Sequence, residues 1–173
     1  MGIDLKNWMQ NLPDGSDLLA LNLCGTHDCV TQHIRLPHFF CCQDLTIYEQ
    51  LLLGVRALDI RVRADGKCLT MVHGIFPAYN HSCHRANLMD MGDVLSQCYR
   101  FLDECPGEAV VFQFKNDNGK ENEQCFDNLF YTYIKGKEPY WYLEDRVPTL
   151  GAARGKLVLI RPVSYTHLTL PTN

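Results

Sequence analysis

The chain has 173 residues, 46% of them hydrophobic and 21% charged, with 12 Gly and 8 Pro. These are the proportions of a soluble globular protein and argue against disorder, collagen-like repeats or a coiled coil. The net charge is −4 with no stripe of Lys or Arg, which argues against a nucleic-acid partner. No run approaches the roughly 18 apolar residues that a membrane-spanning helix needs, and the opening Met1-Gly2-Ile3-Asp4-Leu5-Lys6 has no signal-peptide pattern.

In chain order, Leu18 to Cys24 reads as a short buried strand running into Gly25-Thr26-His27-Asp28. Thr46-Ile47-Tyr48-Glu49 matches a capping box, and the helix it opens stops at Gly54, a residue free to take the left-handed closing conformation. Val55 to Arg63 is the next predicted strand, and Cys68 to Val72 another, ending in His73-Gly74. Asp90 to Cys105 has the helical period, with Val94, Cys98, Phe101, Leu102 and Cys105 on one face and Pro106-Gly107 as its stop. Ala109 to Lys115 is a fourth strand, Glu121 to Ile134 a helix, and Lys156 to Ile160 a fifth strand. Strands alternating with helices indicate parallel pairing with the helices outside.

Nine cysteines without a CxxC pair read as reduced thiols, several of them core packing, in a reducing compartment or an anaerobic bacterium. His81, Cys83 and His84 fit no standard zinc-ligand spacing and read as a polar loop. There is no internal repeat and no low-complexity linker, so residues 1–161 form one domain. Pro162 to Asn173 has neither helical nor strand period and resembles translated sequencing-adaptor read-through, so a non-native tail is expected there.

The polar residues sort by position. Thr26-His27-Asp28, Asp59 with Arg61, His73, Lys115 and Arg161 fall at the C-terminal ends of predicted strands. Side chains alternate along a strand, so Asp59, Arg61 and Arg63 share one face while Leu58, Ile60 and Val62 share the other. Polar groups gathered at the C-terminal ends of parallel strands are the layout of a β/α-barrel active site, although a doubly wound sheet also presents them. A full barrel takes roughly 250 residues, so an incomplete β/α (TIM-type) barrel with about its first five strands is expected.

Two histidines with an arginine and aspartates between them suit phosphodiester cleavage. One imidazole takes a proton from an attacking hydroxyl and the other gives one to the leaving oxygen. A guanidinium holds the phosphate and stabilises the charge developing on it. Spacing alone equally allows His27 as a structural turn histidine and Asp59-Arg61 as an ion-pair layer.

Trp8-Met9, Leu12-Pro13-Asp14, Leu23-Cys24-Gly25-Thr26-His27-Asp28, Gln43 to Leu51, Gly54 to Arg61, His73-Gly74, Glu108 to Lys115 and Ala153-Arg154-Gly155-Lys156 together resemble the catalytic X domain of phosphatidylinositol-specific phospholipase C, of the bacterial, metal-independent type. GTHD, LDIR and HG in this order are far more specific than any one of them. The resemblance implies His27 as general base on the inositol 2-hydroxyl and His73 as general acid supported by Asp28. It places Arg61 on the phosphate, and Asp59, Lys115 and Arg161 at the inositol. It further implies no cofactor and no metal, a phosphatidylinositol or glycosylphosphatidylinositol substrate at a membrane surface, a monomer, and a family whose members are often secreted.

Three departures stand out. Cys29 replaces the Ser usual after GTHD, Arg161 is followed by Pro162 where the family often shows a second basic residue, and the carboxylate that supports the base histidine is expected beyond the last genuine residue, so that the truncated chain by itself is expected to be inactive. Two other readings compete. In a metal-dependent phosphodiesterase His27, Asp28, Asp59 and His73 would ligate a cation, but Arg61 sits where the calcium-using relatives carry an acid. A non-catalytic inositol-lipid-binding domain would have no need of both His27 and His73.

Overall fold

The computed structural model describes residues 4–65, 67–81, 87–117 and 123–160. Its strands are β1 (Gly25–Thr26), β2 (Ala57–Ala64), β3 (Leu69–His73), β4 (Phe76–Pro77), β5 (Ala109–Asn116), β6 (Trp141–Tyr142) and β7 (Lys156–Ile160). They form one mixed sheet in the order β4-β3-β2-β5-β7-β6, with β1 beside the first half of β2. The helices are α1 (Pro37–Phe40), α2 (Ile47–Leu52), α3 (Met91–Glu104), α4 (Glu123–Ile134) and α5 (Leu150–Ala153). The architecture is thus α/β with an open sheet among the described residues, as expected of part of a barrel.

Helix signals in the sequence translate directly. Thr46 accepts from the Glu49 amide while the Glu49 carboxylate accepts from Thr46, so both arms of the capping box are made, and Gly54 takes φ 96°. In α3, Asp90 and Asp93 form the same reciprocal cap, and Val94, Cys98, Phe101 and Leu102 are buried. Phe126 and Phe130 of α4 stack on Phe114 of β5 at 5.2 and 4.3 Å between ring centroids. Cys29, Cys98 and Cys105 are buried thiols of the core. The helix predicted from Glu121 is described only from Glu123. Cys83, His84, Arg161 and the tail from Pro162 onward lie outside the described residues.

Three expectations change. Leu18 to Cys24 is not a strand: Asp17 accepts from the Leu19 amide and opens a single 3-10 turn over Leu18–Ala20, leaving only Gly25–Thr26 to pair with β2. The pairing is not all parallel. β3 runs antiparallel to β2 through Val62↔Met71, because the connection from Ala64 to Leu69 is a turn too short for a crossover, which needs a dozen or more residues. The strands number more than five, since the two-residue strands β4 and β6 carry no alternation for the sequence to display.

Beneath the sheet, a dry ion pair fixes the N-terminal ends of β2 and β5. Arg56 and Glu108 are fully buried and meet at 2.7–2.8 Å. Arg56 also donates to the Leu51, Val55 and Lys6 carbonyls, and Glu108 accepts from the Met9 and Gln10 amides. Each side-chain nitrogen and oxygen of the pair therefore has a partner, and the pair ties the N-terminal segment under the sheet.

Candidate active site

β2 alternates as its sequence requires, with Leu58, Ile60 and Val62 buried against the helices. Its opposite face carries Asp59 and Arg61. β5 lies beside it in parallel with Arg61 opposite Lys115. His27 and Asp28 follow directly on β1, in a loop that is heavily pinned. The Cys29 amide and its Sγ both reach the Asp59 carbonyl, at 3.2 and 3.1 Å. Thr31 Oγ1 donates to the Asp28 carbonyl and accepts from the Cys42 and Gln43 amides. Gln50 accepts from Thr26 Oγ1 and donates to the Cys29 and Leu45 carbonyls. Asp28 is thereby held at φ 44°, a left-handed conformation that Asp tolerates better than most residues.

His73 arrives by a different route from the one expected. It ends an antiparallel strand, not a parallel one, and the register Val62↔Met71 continued by two residues brings it level with Ile60. β2 runs past the site and β3 returns to it.

These elements converge on a compact set of charges. Asp28 is buried, and its Oδ2 lies 3.1 Å from His27 Nε2 and 3.5 Å from His73 Nε2. Asp59 Oδ2 is 2.7 Å from His27 Nδ1, while Arg61 donates to both Asp59 oxygens at 2.8 and 3.0 Å. His73 Nδ1 donates to the Phe40 carbonyl at 2.9 Å; a carbonyl only accepts, so this nitrogen carries the hydrogen. Lys115 Nζ approaches Asp117 at 3.7 Å, and Asp117 also lies 3.9 Å from Arg61. Arg161 lies outside the described residues.

Burial pushes the Asp28 carboxyl above its ordinary pKa, against the opposing pull of His73, His27 and Arg61. Burial acts the same way on Asp59, but there the hydrogen bonds and charges of Arg61 and His27 outweigh it and hold the carboxyl below its ordinary range. Those same bonds to Asp59 raise Arg61. Two carboxylates in one site are thus driven apart, one towards accepting a proton and one towards staying ionised.

Of the expected site residues, His27, Asp28, Asp59, Arg61 and His73 are brought together, with Lys115 at the margin. The assignment of Asp59 to the inositol alone missed its bond to His27: within the described chain, it is Asp59 that holds the ring of the expected base. Asp117, Gln43 (whose side chain donates to the His27 carbonyl) and Cys42 were not singled out. Cys42 Sγ lies 3.9 Å from His73 Nδ1. The sequence signal for Asp117 is a polar residue two positions past a predicted strand, and Cys42 has none.

Beside His73 the rim is apolar. Leu36, Phe39 and Ile75 are exposed to 55%, 81% and 68%. The Phe40 ring lies tilted against Phe76, 4.3 Å between centroids, and meets the His73 ring edge-on at 5.7 Å. No helix is long and apolar enough to cross a membrane among the described residues.

No family model matches the chain. It is 27% identical over 180 residues to a 1-phosphatidylinositol phosphodiesterase of Listeria monocytogenes, an alignment taking 98% of this chain and 51% of that protein. To the protein of the same name from Staphylococcus aureus strain Newman it is 27% identical over 172 residues, covering 94% and 53%. Among solved structures, the phosphatidylinositol-specific phospholipase C of L. monocytogenes superposes with a TM-score of 0.75 at 27% identity, over 92% of this chain and 57% of that one. A pentafluoro-Phe form of the S. aureus enzyme gives 0.77 at 27%, over 91% and 53%. The likeness read from GTHD, LDIR and HG is borne out in sequence and in fold, and the chain spans about half the length of the curated relatives it matches.

Proposed function

We propose that the chain carries the proton-transfer and phosphate-binding groups of a metal-independent phosphatidylinositol phosphodiesterase, cleaving phosphatidylinositol or its glycosylated form to diacylglycerol and inositol 1,2-cyclic phosphate. The observation that carries this reading is the placement of two imidazole Nε2 atoms on one buried carboxylate, 3.1 and 3.5 Å from Asp28 Oδ2, beside an arginine held flat by Asp59. The names of the relatives support the substrate class.

In this reading Asp59 accepts from His27 Nδ1 and leaves Nε2 to take the proton of the inositol 2-hydroxyl. The 2-oxygen bonds to phosphorus, the bond from phosphorus to the diacylglycerol oxygen breaks, and His73 Nε2 protonates that oxygen. His73 Nδ1 stays on the Phe40 carbonyl throughout, so the acid keeps one orientation. Arg61 stabilises the charge developing on the phosphoryl oxygens, and Lys115 lies on the side where the inositol hydroxyls are bound. Because nucleophile and phosphorus belong to one molecule, the first step draws on the large effective molarity of a neighbouring group. The exposed Leu36, Phe39 and Ile75 beside His73 support presentation of the substrate from a lipid surface, where an apolar patch finds its partner.

The test is to incubate the full-length protein that carries this segment with phosphatidylinositol vesicles in excess chelator and follow inositol 1,2-cyclic phosphate by phosphorus NMR, the segment alone being expected to show little or no release. Release is expected. Vesicle binding without release would establish a lipid-binding domain instead, and release only after calcium is restored would establish metal dependence.

A further inference from the structure

The cluster contains one group for which the proposed reaction has no use, the Cys42 thiol. The backbone brings it in: the Cys42 amide donates to Thr31 Oγ1 at 2.8 Å, and Thr31 is bonded in turn to the Asp28 carbonyl. Cys42 Sγ, a carboxylate oxygen of Asp28 and a ring nitrogen of His27 lie within 4.8 Å of one another. A second observation concerns the same point: Asp28 Oδ1 is buried without a hydrogen-bond partner, its nearest cation being Arg61 Nε at 4.0 Å. Such an oxygen costs free energy until something binds it.

From this juxtaposition of Cys42, Asp28 and His27 we infer a site for a soft divalent cation of the zinc class, one whose occupation is incompatible with the proposed reaction. A thiolate, an imidazole and a carboxylate are a zinc-type donor set, whereas calcium takes oxygen ligands alone. Bonds of about 2.0–2.3 Å to one cation set tetrahedral ligand atoms about 3.3–3.8 Å apart, so the set needs to close by about 1 Å. Cys42 and His27 are exposed and Asp28 is buried, so the two outer ligands turn onto a fixed inner one. Charge is met by the thiol: Cys42 binds as thiolate with its proton released to solvent, adding a third negative group to Asp28 and Asp59 against Arg61 and the His73 imidazolium. Water completes the fourth position. With the metal on its ring, His27 has no lone pair for the inositol hydroxyl. That consequence rests on the function proposed above; the binding itself does not.

The test uses the reduced full chain titrated with Co²⁺, read by the thiolate-to-cobalt charge-transfer band and the visible bands of tetrahedral cobalt. One equivalent should bind, Zn²⁺ should displace it, and Cys42→Ser should weaken binding at least tenfold. Cys41→Ser and Cys83→Ser should leave it intact, which separates this site from the other thiols. A band that survives Cys42→Ser, or is lost equally in Cys83→Ser, overturns the proposal. In turnover assays of the full-length protein Zn²⁺ should lower the rate at least tenfold, with Cys42→Ser resistant; equal inhibition of both overturns the proposed consequence. A Cys42-dependent cobalt band in a full-length protein that releases no cyclic inositol phosphate upholds the metal site and refutes the proposed activity alone.

Discussion

Asp59→Asn separates the two roles that residue can have. In the structure its carboxylate accepts from His27 Nδ1 at 2.7 Å and from Arg61 at 2.8 and 3.0 Å. An asparagine has one oxygen for these donors. If the oxygen stays with Arg61, the amide NH₂ faces His27 Nδ1 and donates to it, which forces the ring hydrogen onto Nε2, the wrong tautomer for a base. The comparable aspartate-to-asparagine change in a Ser-His-Asp triad lowers kcat about 10⁴-fold, and a fall of about 10³–10⁴-fold is expected here, carried by kcat. Stability adds a second readout. Asp59 is held below its ordinary pKa, so its ionisation contributes stability that is complete above the unfolded value of about 3.9 and lost as pH falls through the lower folded value. The difference in Tm between parent and variant should therefore narrow in acid. The assay is steady-state cleavage of a soluble inositol phosphodiester, with thermal unfolding from pH 7 to pH 3. A raised KM with unchanged kcat would refute the argument and return Asp59 to inositol binding alone.

His27→Ala and His73→Ala should each cost about 10²–10⁴-fold in rate, and a leaving group of low pKa should partly rescue only the His73 variant; equal rescue of both overturns the assignment of base and acid. Arg61→Lys should lose about 10²–10³-fold, because a point charge does not reproduce the two-pronged contact, while Asp59 loses part of its own anchoring. Phe39→Ser should weaken vesicle binding at least tenfold and leave cleavage of a soluble substrate unchanged, since a fully buried Phe side chain is worth about 1.5–3 kcal/mol; a matching loss on soluble substrate would place Phe39 in the fold instead. Glu108→Gln should cost about 3–5 kcal/mol by leaving Arg56 buried without its counter-charge, a drop of roughly 6–20 °C in Tm at this chain length, and a shift below 3 °C by circular dichroism would show that the pair is not dry.

What the sequence displayed was whatever has a local period or a local motif. The alternation of Leu58-Asp59-Ile60-Arg61-Val62 predicted which face of β2 would be charged, and Thr46 with Glu49 predicted a helix start, because each is decided by neighbours within a few residues. The antiparallel return of β3 was hidden, since direction depends on what a four-residue connection can span. The His27–Asp59 contact was hidden for a related reason. The two residues are 32 positions apart, one just past β1 and one within β2, and the register Gly25↔Ala57 puts them together. Cys42 reached the site through a backbone bond to Thr31, an interaction with no sequence pattern at all.

β2 shows why the two ends of this sheet are built differently. Arg56 stands just before the strand and Arg61 within it, so one segment carries a guanidinium into each environment. At Arg56 every nitrogen has an acceptor: Nε on Glu108, one terminal nitrogen on the Leu51 and Val55 carbonyls, the other on Lys6 and Glu108. Such a group has nothing left to offer a ligand and serves only to hold the chain. Arg61 spends Nε and one terminal nitrogen on Asp59, while the other makes no hydrogen bond among the described residues and lies 3.9 Å from Asp117. Asp59 thus fixes the plane of the Arg61 guanidinium without exhausting it, and in the proposed reaction the remaining N–H groups are preset donors for an anionic phosphoryl group that need no reorganisation. Satisfying Arg61 as completely as Arg56, by giving its free nitrogen a carbonyl, would stabilise the strand and remove the phosphate contact, so the incomplete pairing of Arg61 is the feature on which the proposed chemistry depends.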